Sequence, residues 1–205
     1  MKTALSTLLF FLLYAFTIKL SFTSAEPVLD VNGDLLLPSN QYYVLPLIWA
    51  LGGGLRPGKI HDSTCPVGVV QDFSELSDGV PLGFSPVPDI GIVPANTPLS
   101  IAFAEAPRCA ESGTWIVVKE DLREGLSLGI GGPRDHPNHE IVRGHFTIHR
   151  DGMGYRINFL PSTGGATSGH VGRIFDQFGK RRLVVTDKDP YLVVFKKASS
   201  GVSKI

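Results

Sequence analysis

The residues whose types and spacing suggest chemistry lie between Cys65 and Cys109, the only two cysteines of the 205-residue chain. Inside that interval runs Phe84-Ser85-Pro86-Val87-Pro88-Asp89-Ile90-Gly91-Ile92-Val93-Pro94, with three prolines, a single charge and several apolar side chains. Proline fixes φ near about −65° and has no backbone donor, so this stretch reads as a stiff extended loop and not as a central strand. A loop already held in its bound shape loses little entropy when a partner grips it. The chemistry on offer is therefore recognition, and charge restricts it: residues 60–107 contain no lysine and no arginine.

Other groupings are weaker. Four of the six histidines, His136, His139, His145 and His149, fall close together with Glu140 among them. A zinc site needs three or four converging ligands and outer-shell partners. His145 and His149 would share one strand face, but His136 and His139 sit in the loop Gly131–His139, so exposed surface histidines and no metal are expected. No nucleophile elbow and no metalloprotease helix motif occurs, which argues against an enzyme. Gly52-Gly53-Gly54 and Gly164-Gly165 do not link a strand to a helix, so they read as turns, not phosphate cradles. Trp49 and Trp115 are expected in the core.

The elements that must position the loop are short and β-rich. Residues 1–25 read as a secretory signal peptide, with Lys2, an apolar run from Leu8 to Phe16 and the small-residue site Thr23-Ser24-Ala25. The alternative is a membrane anchor, but the run falls short of the ~20 residues needed to span a bilayer. Residues 26–205 then form one domain, large enough for a real core. Losing Lys2 and Lys19 moves the formal charge from zero to about −2; no basic patch supports nucleic-acid binding. In an oxidising compartment Cys65 and Cys109 are expected to pair, the alternative being two buried free thiols. Such a bridge closes about 45 residues and is worth ~4 kcal/mol in the chain-entropy account.

Turn residues separate β-like runs at Val28-Leu29, Leu35-Leu36, Gln41 to Trp49, Val67 to Gln71, Leu99 to Ala104 and Thr114 to Lys119. Further runs lie at Phe146 to Ile148, Tyr155 to Leu160, Leu183 to Val185 and Tyr191 to Phe195, with Asp151-Gly152 as a hairpin tip. About a dozen short strands argue for an all-β sandwich or barrel. Tyr43 to Leu47, Leu99 to Phe103, Tyr155 to Leu160 and Tyr191 to Phe195 are faintly alike.

Val28-Leu29-Asp30-Val31-Asn32-Gly33-Asp34-Leu35-Leu36, then Tyr42-Tyr43-Val44, resembles the N-terminal signature of the plant Kunitz-type inhibitors, the soybean trypsin inhibitor family. The likeness continues in Cys65-Pro66-Val67, Val70-Gln71, Pro98-Leu99-Ser100-Ile101, Trp115-Ile116-Val117-Val118 and Arg181-Arg182-Leu183-Val184-Val185, and ends over Pro190 to Phe195. It covers essentially the whole chain after residue 25. The resemblance implies a β-trefoil, a six-stranded barrel capped by three hairpins, secreted or vacuolar, monomeric and without a cofactor. It also implies a single disulfide here, because Phe159 to Gly169 lacks the cysteines of a second one.

The implied inhibitory loop is Pro86, Val87, Pro88, Asp89, Ile90 and Gly91, with a serine endopeptidase as partner. Counting back from Pro98-Leu99-Ser100, the position of the basic residue in trypsin-inhibiting members falls on Asp89. The asparagine that braces the loop in the family falls near Pro38, with Asn40 two residues on. A trypsin-like pocket has a carboxylate at its base, and Asp89 would oppose it at a cost of several kcal/mol. Chymotrypsin-, elastase- or subtilisin-like enzymes are the expected targets, met by Leu82, Phe84 or Val87. Arg134 offers a second contact point for a trypsin-like enzyme. The alternative is a non-inhibitory storage or binding protein, or an inhibitor of α-amylase or a cysteine protease, on the same scaffold.

Overall fold

The computed structural model describes residues 26–60, 63–120, 125–162, 168–176 and 179–199. The expected signal peptide lies outside the described residues. Thirteen strands follow one another: β1 (Tyr42–Pro46), β2 (Leu55–Gly58), β3 (Gly68–Gln71), β4 (Leu82–Pro86), β5 (Leu99–Phe103), β6 (Trp115–Lys119) and β7 (Leu126–Ile130). Then come β8 (Glu140–Val142), β9 (Gly144–Asp151), β10 (Gly154–Pro161), β11 (Gly169–Phe175), β12 (Arg181–Thr186) and β13 (Val193–Lys197).

Pairing sorts them into two layers. β13, β1, β4, β5, β9 and β10 pair in that order, and β10 pairs back to β13 through Tyr155↔Val193, which closes a six-stranded barrel. The remaining hairpins β2–β3, β6–β7 and β11–β12 pair with one another through β3–β7, β7–β12 and β12–β3. They form a triangular cap on the barrel. The architecture is the β-trefoil that the resemblance implies. Three of the four faintly similar runs are β1, β5 and β10, the opening strands of the three repeats. Among the described residues only β2, paired to β3 alone, and the three-residue β8, paired to β6 alone, are left at an edge.

Alternation decides what fills the barrel. Leu99, Ile101 and Phe103 of β5 are buried, and so are Tyr155, Ile157 and Phe159 of β10. Two chains of aromatic contact run through the core, Tyr42–Phe84–Phe195–Tyr155 and Phe103–Trp115–Phe146–Phe159. Ring centroids along them are 5.3–6.3 Å apart. Each such side chain contributes about 1.5–3 kcal/mol on leaving water. In the cap the buried cation is Arg182, whose Nη2 meets Glu120 Oε1 at 2.5 Å, with side-chain exposures of 2% and 8%. Ser127 Oγ donates to the same carboxylate oxygen at 2.5 Å.

Two aromatic and histidine expectations need correction. Trp115 is buried at 3% exposure, but Trp49 is 74% exposed. The pairing of β1 with β13 stops at Pro46↔Val193. Trp49 then falls in a 3-10 turn, Trp49–Leu51, which buries none of its residues. His136, expected at the surface, is 5% exposed; its Nε2 lies 2.9 Å from Ile130 O, packed against Gly129. Its loop is ordered by Asp135, whose Oδ2 accepts the N–H groups of Glu111 and Gly132, both at 3.0 Å. His139 and His145 are exposed as expected, and His149 is half-buried.

Candidate functional site

β4 carries the chain outward to Pro86, and the loop's neck closes where the Val87 N–H donates to Pro98 O at 2.9 Å. This corrects the reading of Phe84–Pro86 as loop: they are the end of β4, opposite Leu99–Ile101 of β5. The proline is tolerated for a geometric reason. The Val87 N–H points toward β5, so the nitrogen of Pro86 faces the β1 side. Pairing there is confined to Tyr42↔Leu82, and the missing donor costs no ladder bond. Leu82 and Phe84, expected as candidates for a partner's pocket, are 0% and 1% exposed and fill the barrel instead.

The returning limb is tied down by backbone hydrogen bonds. The Val93 N–H donates to Leu36 O at 2.8 Å, and Val93 O accepts the Val28 N–H at 3.0 Å. The Ala95 N–H donates to Glu26 O at 2.7 Å, and the Asn96 N–H to Ile148 O at 2.8 Å. Val93, Pro94 and Ala95 are buried beneath residues 26–36. That segment keeps its shape through Asp30, whose Oδ1 accepts the N–H groups of Asn32 and Asp34 at 2.8 and 3.0 Å. Asn40 does not brace the loop: its Nδ2 donates to Tyr42 Oη at 3.4 Å and its N–H to Leu37 O at 3.0 Å. Nothing in residue type signals the backbone clamp, because any non-proline residue can make it.

Between these anchors Val87, Pro88, Asp89, Ile90 and Gly91 are exposed, with Val87 at 62% and Ile90 at 59%. The Val87–Pro88 peptide is cis. Asp89 Oδ1 accepts the Gly91 N–H at 2.9 Å, and Gly91 adopts φ 79° with open space where a Cβ would stand. Conformation, not room, is what calls for glycine there. The tip presents two β-branched apolar side chains and one carboxylate.

The other expected residues lie elsewhere. Cys65 and Cys109 are bonded, with Cα atoms 5.9 Å apart. The bridge joins the β2–β3 and β5–β6 connections, so it follows β5 while the loop precedes β5. Arg134 is exposed on the β7–β8 connection, its N–H donating to Glu111 Oε1 at 2.7 Å. It lines a cleft of about 590 Å³ with Ile60, both cysteines and His136, and no residue of the 86–91 loop takes part. Among the described residues no three His, Cys, Asp or Glu side chains group as metal ligands.

A closed barrel, a triangular cap and one proline-rich loop anchored at both ends define a β-trefoil of the inhibitor type. Residues 28–197 match the legume Kunitz family described as trypsin and protease inhibitor, and the chain belongs to that family. It is 39% identical over 210 residues to a Kunitz-type trypsin inhibitor-like 2 protein of Pisum sativum, covering 98% of this chain and 96% of that one. It is 48% identical over 141 residues to the Kunitz-type elastase inhibitor BrEI of Bauhinia rufa, covering 67% of this chain and 98% of the other. Among solved structures, a Kunitz type trypsin inhibitor from Cicer arietinum superposes with a TM-score of 0.79 at 38% identity, over 85% of this chain and 99% of that one.

Proposed function

We propose that this protein inhibits a serine endopeptidase by presenting residues 87–91 to its active site, with an apolar tip residue, Val87 or Ile90, entering the specificity pocket. The observation that carries this reading is a loop tied to the barrel on both limbs, whose exposed tip holds no basic side chain. A small, β-branched side chain suits a shallow or apolar pocket, whereas a trypsin-like pocket asks for a cation. The relative from Bauhinia rufa named as an elastase inhibitor points the same way. Pro88 stiffens the tip; the pocket residue precedes the bond offered, so Ile90 would present Ile90–Gly91 and Val87 would present Val87–Pro88, whereas the family register, Asp89–Ile90, would set Asp89 in the pocket. The protein acts as a secreted monomer, its leader over residues 1–25 removed.

Titration of the purified mature protein against trypsin, chymotrypsin, elastase and subtilisin is the test. Tight inhibition of an apolar-pocket enzyme, weakened by Val87→Ala or Ile90→Ala, is expected. Nanomolar trypsin inhibition that survives Asp89→Ala would sink the assignment of the loop, and inhibition of none of the four would favour a storage or binding role.

A further inference from the structure

We infer that the capped end of the barrel carries a second protein-docking surface, built on Arg173 and Arg181, that takes an acidic segment flanked by apolar side chains in a partner protein. The two guanidinium groups meet on one acceptor: Arg173 Nη1 and Arg181 Nη1 each donate to Leu51 O at 2.9 Å. Gln71 Nε2 joins them on that oxygen at 3.0 Å, and its Oε1 accepts from Arg173 Nη1 at 2.7 Å. Among the described residues neither arginine has a carboxylate partner, and the Nε of Arg181 is buried without an acceptor. The neighbouring acids are already engaged, Asp72 by Arg56 at 3.2 Å and Ser77 at 3.0 Å, and Asp176 by the Lys180 N–H at 2.8 Å. Two cations side by side without counter-charge attract an anion brought from outside.

The surroundings say what kind of molecule brings it. Arg181 stacks over Phe73 at 5.0 Å and Phe175 at 5.9 Å, and Arg173 over Phe175 at 5.6 Å. Trp49, Phe175, Ile48 and Phe73 are 74%, 61%, 60% and 53% exposed, a concentration of large apolar side chains around a charged centre. Trp and Arg dominate the energetic centres of protein interfaces, and stacking fixes these guanidinium groups before a partner arrives. Polyanions fit poorly. A nucleic acid needs a track of cations to displace counterions, and an anionic bilayer needs a polybasic cluster, but this centre has two charges in a chain with no net positive charge.

This surface is separate from residues 86–91. β1 and β4 are antiparallel, so Pro46 leads to the Trp49–Leu51 turn at the end where β4 begins, while the loop leaves where β4 ends. Both surfaces can be occupied together.

The test uses mature protein and a fluorescein-labelled peptide Gly-Phe-Glu-Asp-Phe-Gly, with Gly-Phe-Gln-Asn-Phe-Gly as its neutral counterpart. A saturable anisotropy rise is expected for the acidic peptide, about tenfold weaker for the neutral one, as for loss of a charge-assisted hydrogen bond. Arg173→Met keeps the aliphatic stem and leaves Leu51 O two donors, so it folds; it weakens binding about tenfold, as does Phe175→Ala. Neither variant changes protease inhibition, and Asp89→Ala leaves peptide binding intact. Equal binding of both peptides, indifference to Arg173→Met, or full displacement by sodium sulfate at equal concentration would overturn the proposal. So would a sedimentation shift showing that the surface pairs two copies of this chain.

Discussion

The Asp89 carboxylate and the Gly91 N–H, 2.9 Å apart, close the exposed tip of the loop on itself. The carboxylate that the proposed function sets against trypsin is thus also a local strut. Its replacement changes both charge and shape, and the two can be separated.

Asp89→Lys exchanges repulsion for attraction in a pocket floored by carboxylate. Trypsin inhibition is expected to strengthen about a hundredfold or more, matching several kcal/mol of like-charge cost removed. Asp89→Asn keeps the acceptor for Gly91 and drops the charge, and should recover a smaller part of that gain. Inhibition constants against trypsin and elastase, measured together, check both.

Gly91→Ala meets no atom, yet places an L side chain at φ 79°. A penalty of about 1–2 kcal/mol falls on the loop alone. Inhibition should weaken about five- to thirtyfold, while the free loop relaxes and the melting temperature stays within a degree or so. A large melting shift with unchanged inhibition would contradict this.

Replacing both Cys65 and Cys109 by serine opens a bridge with a sequence separation of 44. Stability should drop by about 2–4 kcal/mol. Inhibition at room temperature should persist, because the bridge lies beyond the far end of β5 from the loop. Denaturant melts and an inhibition assay on the same preparation distinguish the two effects.

Glu120→Gln removes the carboxylate charge beside the buried Arg182 guanidinium. The loss should be about 3–5 kcal/mol, and adding Arg182→Met should restore part of it, since an apolar pair avoids the desolvation cost. Urea melts of the single and double variants supply the numbers.

Burial first, and Arg156 second, hold the His149 imidazole below the ordinary histidine range. Its folded value is the lower one, so below about pH 6.5 the unfolded chain takes a proton that the folded chain refuses. Stability therefore falls with pH through that window until the folded group also protonates. His149→Gln should narrow the difference in melting temperature between about pH 7.5 and about pH 5.5.

Strands were legible where alternation and burial coincide. The runs Leu99 to Ala104 and Tyr155 to Leu160 lie within a residue of β5 and β10, and Asp151-Gly152 marks the β9–β10 turn. β2, β7 and β11 were not legible. Pro57, Gly129, Gly169 and Gly172 lower their strand character, and these strands exist because the cap pairs them. Gly129 faces Gly68 where β3 and β7 meet, and an added methyl there would strike His136 at 2.8 Å. The loop's position was legible from its prolines and from family resemblance. Its inner boundary was not: Leu82 and Phe84 look like bait in sequence and are core in space. The Arg173–Arg181 centre unites residues from β11 and β12 with a carbonyl more than a hundred positions away, which no local pattern records.

The barrel's closure and the mutual pairing of the cap leave β2 and β8 as the strands with an open side. β2 contains Pro57, and β8 has three residues with Glu140 held by Lys119 at 3.1 Å. Proline, shortness and charge are the devices that stop one sheet from recruiting another. Among its described residues, then, this chain offers an amyloid-forming or edge-pairing neighbour almost nothing to template on, so it should stay dispersed at concentrations where open β-sandwiches begin to associate.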